Sequence, residues 1–332
     1  MKLRTATYEL YGTTRRCVAT ALGAMMLTIH SCSLADPRDL CCPDACAMVY
    51  SYKPYGTEAF KEYISSLRHY LFDSNGSYIA MLPPGNDMQY QPLNLPEGSY
   101  TMVTLGNASE ASATNHQEIG HISGLTLSQK AGYAESSDIL GNSDELYWGV
   151  RSFAIGADGL ATEPDGRTRF NSKSKLTTYM NNIHCHLTVR VVWDNVPEYI
   201  GAYEMELDGV PAAYNLNPAK VAEADGFTVP ESGDTAVHRL TVSMNGQELE
   251  GEFVTLRYTD ETIPTLRLRY RGLQVGPAMD LRKAFRTWGW RPSLIHVQKY
   301  SIVVRLYGNG NAELTPFMEA SVDDWINGGS FG

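Results

Sequence analysis

Two short patterns in the sequence carry residue types that do chemistry in hydrolases and metalloenzymes. Residues 328–332 read Gly-Gly-Ser-Phe-Gly and match the G-x-S-x-G pattern of a nucleophile elbow, but no helix follows the serine in this sequence. His116 and His121 are five residues apart, whereas two zinc-binding histidines on one helix face are four apart. Neither pattern meets the geometry of its chemistry, so we predict that the protein is not an enzyme.

Two further patterns could hold an ion. His184 and His186 are two residues apart, which places both imidazoles on one side of a strand, where a third ligand would complete a metal site. A strand that enters a domain explains this pair equally well, and we favour that interpretation. Residues 73–76 read Asp-Ser-Asn-Gly and resemble part of a calcium loop, but they lack the downstream glutamate and predict a turn. We therefore predict neither a metal nor a cofactor.

The N-terminus predicts export. Four basic residues precede an uncharged run at residues 17–29, which is shorter than the ~20 residues that a membrane-spanning helix needs. Residues 29–32 read Ile-His-Ser-Cys and are similar to a bacterial lipobox, in which the cysteine becomes the lipidated first residue. We expect residues 1–31 to be a lipoprotein signal peptide and Cys32 to carry lipid. His30 replaces the usual small residue, so cleavage elsewhere stays open, as does a buried helix.

The remaining cysteines agree with an oxidising compartment. Cys41, Cys42, Cys46 and Cys185 stay in the mature chain, and the first three form a tight cluster. Paired C-x-x-C spacing, which is typical of zinc sites, is absent from the cluster. A local disulfide or free buried thiols are the two interpretations, and the sequence does not decide the pairing.

Composition favours a β-rich protein with about two domains. The chain has 332 residues, which is about twice the usual length of one domain. Its 37 acidic residues outnumber its 27 basic ones, so the net charge of −10 disfavours nucleic-acid binding. Twenty tyrosines and 29 glycines indicate many strands and turns. The polar stretch 171–175 is the best boundary, and we predict β-sandwich domains at residues 32–172 and 173–332.

Local patterns agree with this composition. Residues 266–271 read Leu-Arg-Leu-Arg-Tyr-Arg, a strand with one apolar face and one basic face. The basic face could meet an anion, but we favour a solvated strand face. Asn245-Gly246 predicts a hairpin turn. Three short helices are predicted, at residues 57–67, 218–224 and 277–285.

Several phrases, taken in order, resemble the FimB/Mfa2 family of fimbrillin-like lipoproteins from Bacteroidetes. They lie at residues 47–52 (Ala-Met-Val-Tyr-Ser-Tyr), 71–76, 95–100, 145–149 and 322–326. The resemblance covers nearly the whole mature chain. It implies an all-β fold of two tandem transthyretin-like β-sandwich domains with a few short helices. It also implies a structural subunit of surface fimbriae that serves adhesion, and no catalysis.

The same resemblance sets expectations for partners and position. Other fimbrial subunits, the stalk fimbrillin above all, would be joined by strand exchange, and lipid on Cys32 would anchor the protein at the cell outer membrane. Stalk subunits of the family are cut after a basic residue in an N-terminal loop, but none of Arg151, Arg167 and Arg169 follows an obvious removable strand. We therefore expect a terminating subunit. The alternatives are a surface glycan-binding lipoprotein, with residues 288–290 (Trp-Gly-Trp) as the aromatic platform, and, least favoured, a secreted hydrolase.

Overall fold

The structure is a computed structural model that describes residues 46–130, 139–157, 159–162, 175–195, 201–224 and 227–317. The expected signal peptide, Cys32, Cys41, Cys42, the boundary at residues 172–173 and the phrase at 322–326 lie outside the described residues. Within the described ranges, no helix has both the length and the apolar character needed to cross a membrane.

Strands dominate the first part of the chain, residues 46–182. In chain order they are β1 (Ala47–Ser51), β2 (Leu67–Asp73), β3 (Tyr78–Leu82), β4 (Tyr90–Pro92), β5 (Gly98–Gly106), β6 (Ser112–Thr114), β7 (Thr126–Gln129), β8 (Ile139–Leu140), β9 (Tyr147–Ile155), β10 (Ala161–Thr162), β11 (Lys175–Tyr179) and β12 (Asn181–Asn182). A single α-helical turn, α1 (Phe60–Tyr63), and a 3-10 turn at Ile122–Gly124 are the helical elements among the described residues of this part.

The second part, residues 183–317, also consists mainly of strands. Its strands are β13 (His184–Trp193), β14 (Ala202–Pro211), β15 (Ala213–Asn215), β16 (Val221–Ala224), β17 (Phe227–Ser232), β18 (Thr235–Ser243), β19 (Glu248–Leu256), β20 (Thr265–Tyr270), β21 (Leu273–Gln274), β22 (Met279–Asp280), β23 (Gln298–Leu306) and β24 (Ala312–Pro316). Its helices are α2 (Leu281–Thr287) and a 3-10 turn at Pro292–Leu294.

The first part is a sheet that is covered on both faces. Its central sheet has the order β10-β9-β5-β2-β3, with β12 added on β9. Alternate residues of β2 lie in different cores, Leu71 with the side chains of β1 and Tyr70 with those of β7, because successive side chains of a strand point to opposite faces. One face is covered by the sheet β11-β1-β4, and the other by the sheet β16-β17-β15-β7-β6.

The second part packs two sheets around one core. Their orders are β19-β13-β23-β24 and β21-β20-β14-β18-β8, with β22 added on β20. Inward-facing residues of both sheets, such as Val189, Met205 and Ile302, form a continuous apolar cluster. The predicted fold class, all-β with stacked sheets and a few short helices, is therefore confirmed.

The two parts exchange strands. β15 and β17 belong to the second part by sequence, but β15 pairs with β7 and their sheet covers the first part. In return β8 pairs in parallel with β18. β11 and β12, which follow the expected boundary, pair with β1 and β9. The boundary at residues 172–173 stays a prediction, while the second part's own sheets start at His184.

Two of the predicted helices differ from the observed ones, and one is wrong. The helix predicted at residues 57–67 is only the turn α1, because Leu67 already starts β2. α2 begins at Leu281 rather than at Pro277, since the Asp280 side chain accepts hydrogen bonds from the backbone N–H groups of Arg282 and Lys283. The helix predicted at 218–224 is wrong, because Val221–Ala224 pairs as a strand with β17.

Strand β20 gives a direct test of the predicted faces. Leu268 is fully buried in the core, whereas Arg269 lies on the opposite face and binds Glu206. Replacing Leu268 by Ala is expected to lower the free energy of unfolding by ~2–5 kcal/mol, because it leaves a cavity. Arg269→Ala is expected to cost less than about 2 kcal/mol, since Arg239 still binds the buried Glu206 carboxylate. Denaturant titration of both variants measures the difference, and a larger loss for Arg269→Ala would mean that the faces are reversed.

Candidate functional site: the slot of the first strand

The first strand occupies the middle of a sheet. β1 pairs in parallel with β11 on one side and antiparallel with β4 on the other, and Met48 lies between Leu176 and Gln91. Further backbone hydrogen bonds continue this pairing beyond both ends of β1, since Leu93 N donates to Cys46 O and Met180 N donates to Ser51 O. The strand therefore has a hydrogen-bonding neighbour along each of its edges.

The side chains of β1 fill the core beneath it. Met48 and Tyr50 are completely buried, and Cys46 and Tyr52 flank them with almost no exposure. The Tyr50 hydroxyl lies 3.0 Å from His69 Nδ1 and 3.2 Å from Thr104 Oγ1, on two strands of the central sheet. Burial raises the pKa of Tyr50 and lowers the pKa of His69 to about 4, so this network is neutral at pH 7.

A carboxylate holds the chain where β1 ends. Glu58 accepts a hydrogen bond from Ser51 Oγ at 2.5 Å, and its other oxygen accepts from the backbone N–H groups of Tyr52 and Phe60. Lys53 follows directly, is exposed, and precedes Pro54. Lys53 is the basic residue nearest to the end of β1. Its position next to this strand could not be predicted from the sequence, because the end of the strand was not predicted.

The position of β1 between two strands determines whether another strand can bind there. A strand that lies between two others satisfies their N–H and C=O groups, and its buried side chains fill pockets that would otherwise be empty. Without β1, β4 and β11 would each present an unpaired edge above a cavity shaped for Met48 and Tyr50. We call this position the β1 slot, and in this chain its own first strand fills it.

The outer strands of the sheets are protected to different degrees. β19 is covered near its C-terminal end by Asn142, which accepts from Val254 N and donates to Glu252 O. β3 has exposed apolar side chains, but a bridge to His121 precedes it and two prolines follow it. Among the described residues, β24 is the outer strand of its sheet and pairs with β23, and most of its residues are exposed. β24 is thus held far less firmly than β1.

The cysteines within the described residues are not paired with each other. Cys46 and Cys185 are both buried free thiols, the first beside β1 and the second in the core of the second part. Burial raises the pKa of the Cys46 thiol to about 11 and that of Cys185 further, so neither is a reactive thiolate at neutral pH.

The other patterns that could do chemistry have structural roles. His121 caps a 3-10 turn, and its Nε2 lies 2.7 Å from the carbonyl oxygen of Asn75. Asp73 accepts hydrogen bonds from the N–H groups of Asn75 and Ser77, which confirms the predicted turn. His116 Nδ1 is 2.7 Å from Thr114 Oγ1, so the two histidines serve separate local contacts.

The predicted basic stripe and aromatic pair are also used within the fold. Arg267 and Arg269 bind Asp208 and Glu206 on the outer face of the sheet. Trp288 and Trp290 are half-buried and pack against the core, where their rings lie 4.9 Å from each other. A packed pair of this kind stabilises the fold and leaves less aromatic surface for a sugar ring.

The structure also brings His184 and His186 together with Glu145 and Glu252. Both histidines are in β13. Glu145 lies two residues before the start of β9, and Glu252 is in β19. Sequence analysis missed the two glutamates because they are far from the histidines in the chain. The pairing of β13 with β19 is what places Glu252 beside them.

The comparisons with known proteins agree with this architecture. A family model described as fimbrillin-A associated anchor proteins Mfa1 and Mfa2 matches residues 39–327. No curated protein sequence matches the chain significantly.

Solved structures show the same fold. The fimbrial anchor protein Mfa2 from Porphyromonas gingivalis has a TM-score of 0.56 and 12% identity, over 82% of this chain and 97% of that chain. A proposed adhesin from Bacteroides thetaiotaomicron has a TM-score of 0.54 and 16% identity, over 83% and 98%. A proposed polysaccharide-binding protein from the same species has a TM-score of 0.57 and 15% identity, over 82% and 98%. At these identities the similarity is one of fold.

The resemblance inferred from the ordered phrases is confirmed by the family match, which extends from before β1 to beyond β24. Since the match covers most of the 332 residues, the chain belongs to the family of fimbrillin-A associated anchor proteins Mfa1 and Mfa2.

Proposed function

We propose that this protein is a structural subunit of a cell-surface fimbria, serving its assembly and adhesion as the lipid-anchored base or as another terminating subunit. The observation that carries the proposal is the filled β1 slot. A subunit that accepts a neighbour's strand needs an open slot, and this one is closed by the chain's own buried strand. Growth of a fimbria would stop at such a subunit.

The partner is another fimbrial subunit, joined by strand exchange at the C-terminal end. Within the part of the chain that the structure describes, β24 has one neighbouring strand, β23, and two of its side chains, Ala312 and Leu314, pack against the core. Exchanging this strand breaks a single ladder of hydrogen bonds, whereas removing β1 would break two and empty the core. An exposed edge with unpaired N–H and C=O groups is the usual template for an added strand.

The proposed membrane anchor is lipid on Cys32. If Cys32 is lipidated, each buried CH₂ group contributes ~0.8 kcal/mol, and several acyl chains together make release negligible. β1 begins at Ala47, so the anchored cysteine is separated from the filled slot by a short stretch of chain. The lipid would then hold the closed end of the subunit at the outer membrane and leave the C-terminal end for the fimbria.

Replacing Cys32 by Ala tests the anchor. The variant is expected to move from the membrane fraction to the periplasm or the medium, and cells that carry it are expected to shed their fimbriae. Cys41→Ala is the matched control and is expected to stay in the membrane fraction. Fractionation followed by blotting measures both. Unchanged partitioning of Cys32→Ala, or a mature N-terminus well away from residue 32, would contradict the anchor.

A further inference from the structure

A cluster of two histidines and two carboxylates lies where the first part of the chain meets the second. His184 and His186 are among the first residues of β13, in its ladder with β19, and their rings are 5.2 Å apart. Cys185, between them, points into the core of the second part. Glu145 reaches the cluster from the segment just before β9, in the first part.

Hydrogen bonds to the Nδ1 atoms orient both rings. His184 Nδ1 is 2.9 Å from the carbonyl oxygen of Leu146, which can only accept, so this nitrogen carries the proton. His186 Nδ1 is 2.8 Å from Glu252 Oε1, and a carboxylate likewise accepts. The Nε2 atom of each ring is therefore the one that would bind a metal, in the neutral form of the imidazole that such binding requires. A carbonyl or a carboxylate behind the imidazole is the arrangement that orients histidines as metal ligands.

Glu145 and the two imidazoles lie close enough together to share one ion. His186 Nε2 lies 3.3 Å from Glu145 Oε1, a contact that either a proton on Nε2 or a cation bound by both atoms would satisfy. Two ligands of a tetrahedral zinc ion, each about 2.0–2.1 Å from the metal, are about 3.3 Å apart. Candidate ligand atoms of Glu145, His184 and His186 all lie within 4.8 Å of one another, and half of the Glu145 side chain is exposed and can adjust.

Two polar residues near His184, Asn182 and Arg257, also have to be compatible with a bound ion. Asn182 Nδ2 is 3.1 Å from His184 Nε2 and 3.3 Å from Nδ1, so it is nearly equidistant from both nitrogens. A donor in that position does not lie along the in-plane lone pair of Nε2, which points away from Nδ1. The buried guanidinium of Arg257 donates to carbonyl groups of Asn182 and His296.

We propose that Glu145, His184 and His186 bind a zinc ion that links the first part of the molecule to the second. Glu252 acts as a positioning residue through His186. Two imidazoles and a carboxylate form a donor set that suits zinc, and the exposed side of the cluster leaves room for water as the fourth ligand. This site is independent of the fimbrial role, because neither the β1 slot nor β24 takes part in it.

Zinc binding by the purified mature protein tests the site. After dialysis against a chelator, calorimetric titration with ZnCl₂ is expected to show one tight site per chain, and Co²⁺ is expected to give the visible bands of a four-coordinate ion. His186→Gln and Glu145→Gln are expected to abolish the tight site and the cobalt bands. Glu252→Gln is expected to raise the Kd ~10–100-fold, as losses behind a ligating histidine do.

His116→Gln is the matched control, because this histidine bonds to Thr114, packs against nearby rings and is not in the cluster. It is expected to bind zinc as the wild type does. Circular dichroism of every variant shows whether it is folded. A folded wild type that binds zinc no more tightly than His186→Gln, or a His116→Gln variant that loses binding equally, would overturn the proposal.

Discussion

Replacing Tyr50 by Ala is expected to lower the free energy of unfolding by ~3–5 kcal/mol, the range for truncating a large buried ring. Tyr50 has no exposed surface and fills the core beneath β1. Its hydroxyl is also a partner of His69 and Thr104 in the central sheet. The substitution therefore removes packing and a hydrogen-bond partner from the β1 slot at once.

Two matched variants separate these contributions. Tyr50→Phe keeps the ring and is expected to cost ~1 kcal/mol, because His69 and Thr104 can still bond to each other at 3.2 Å. Val49→Ala changes the neighbouring residue, which faces away from this core and is only half-buried, so its cost is expected to be smaller than that of Tyr50→Ala. Denaturant titration measures all three. A loss for Tyr50→Ala no greater than for Val49→Ala would show that β1 is not a core strand.

Acid is expected to destabilise the protein between about pH 6.5 and pH 4. Burial lowers the pKa of both His69 and His238 to about 4, from an ordinary value of 6.5. In this window the unfolded chain binds protons that the folded chain does not, so stability present above pH 6.5 is lost as the pH falls. Each histidine contributes a loss of ~3 kcal/mol at pH 4, because a tenfold difference in proton affinity between the folded and unfolded chains corresponds to about 1.4 kcal/mol.

The pH dependence can be assigned with single variants. His69→Gln is expected to be less stable at pH 7 but to lose ~3 kcal/mol less than the wild type on acidification to pH 4. His116→Gln is the control, because it makes the same change at a half-buried ring outside the network of Tyr50, His69 and Thr104. Urea titrations at several pH values give the slopes. Identical slopes for His69→Gln and the wild type would contradict the assignment.

Strands with strict alternation were predictable from the sequence, because burial of one face imposes period two. Leu266 and Leu268 are buried, and Arg267 and Arg269, which alternate with them, are not, as the alternation requires. The turn at Asn245-Gly246 is also present, with Gly246 at a φ of +65°. The expected hairpin is wrong in one respect, since β18 and β19 leave this turn into different sheets. Local turn chemistry does not determine which sheet a strand joins.

The β1 slot and the histidine cluster depend on contacts between distant segments. The phrase at residues 47–52 was identified by resemblance, but its place between β4 and β11 arises from pairing with strands far along the chain. Glu145 meets His186 because the segment before β9 bonds to the start of β13, where Ile183 N donates to Leu146 O. The predicted helix at residues 218–224 failed for a related reason, since pairing with β17 outweighs a weak local helix signal.

The mass of the purified mature protein in solution, with and without β1, tests the filled slot most directly. A protease site in place of residues 54–57, in the exposed turn after β1, allows this strand to be cut and removed. The intact protein is expected to be a monomer that does not bind a peptide of residues 46–53. The protein without β1 is expected to bind one such peptide per chain. It is expected not to bind the peptide that carries Met48→Asp and Tyr50→Asp. Detergent-stable homopolymer ladders from the intact protein would contradict a closed slot and indicate a stalk subunit.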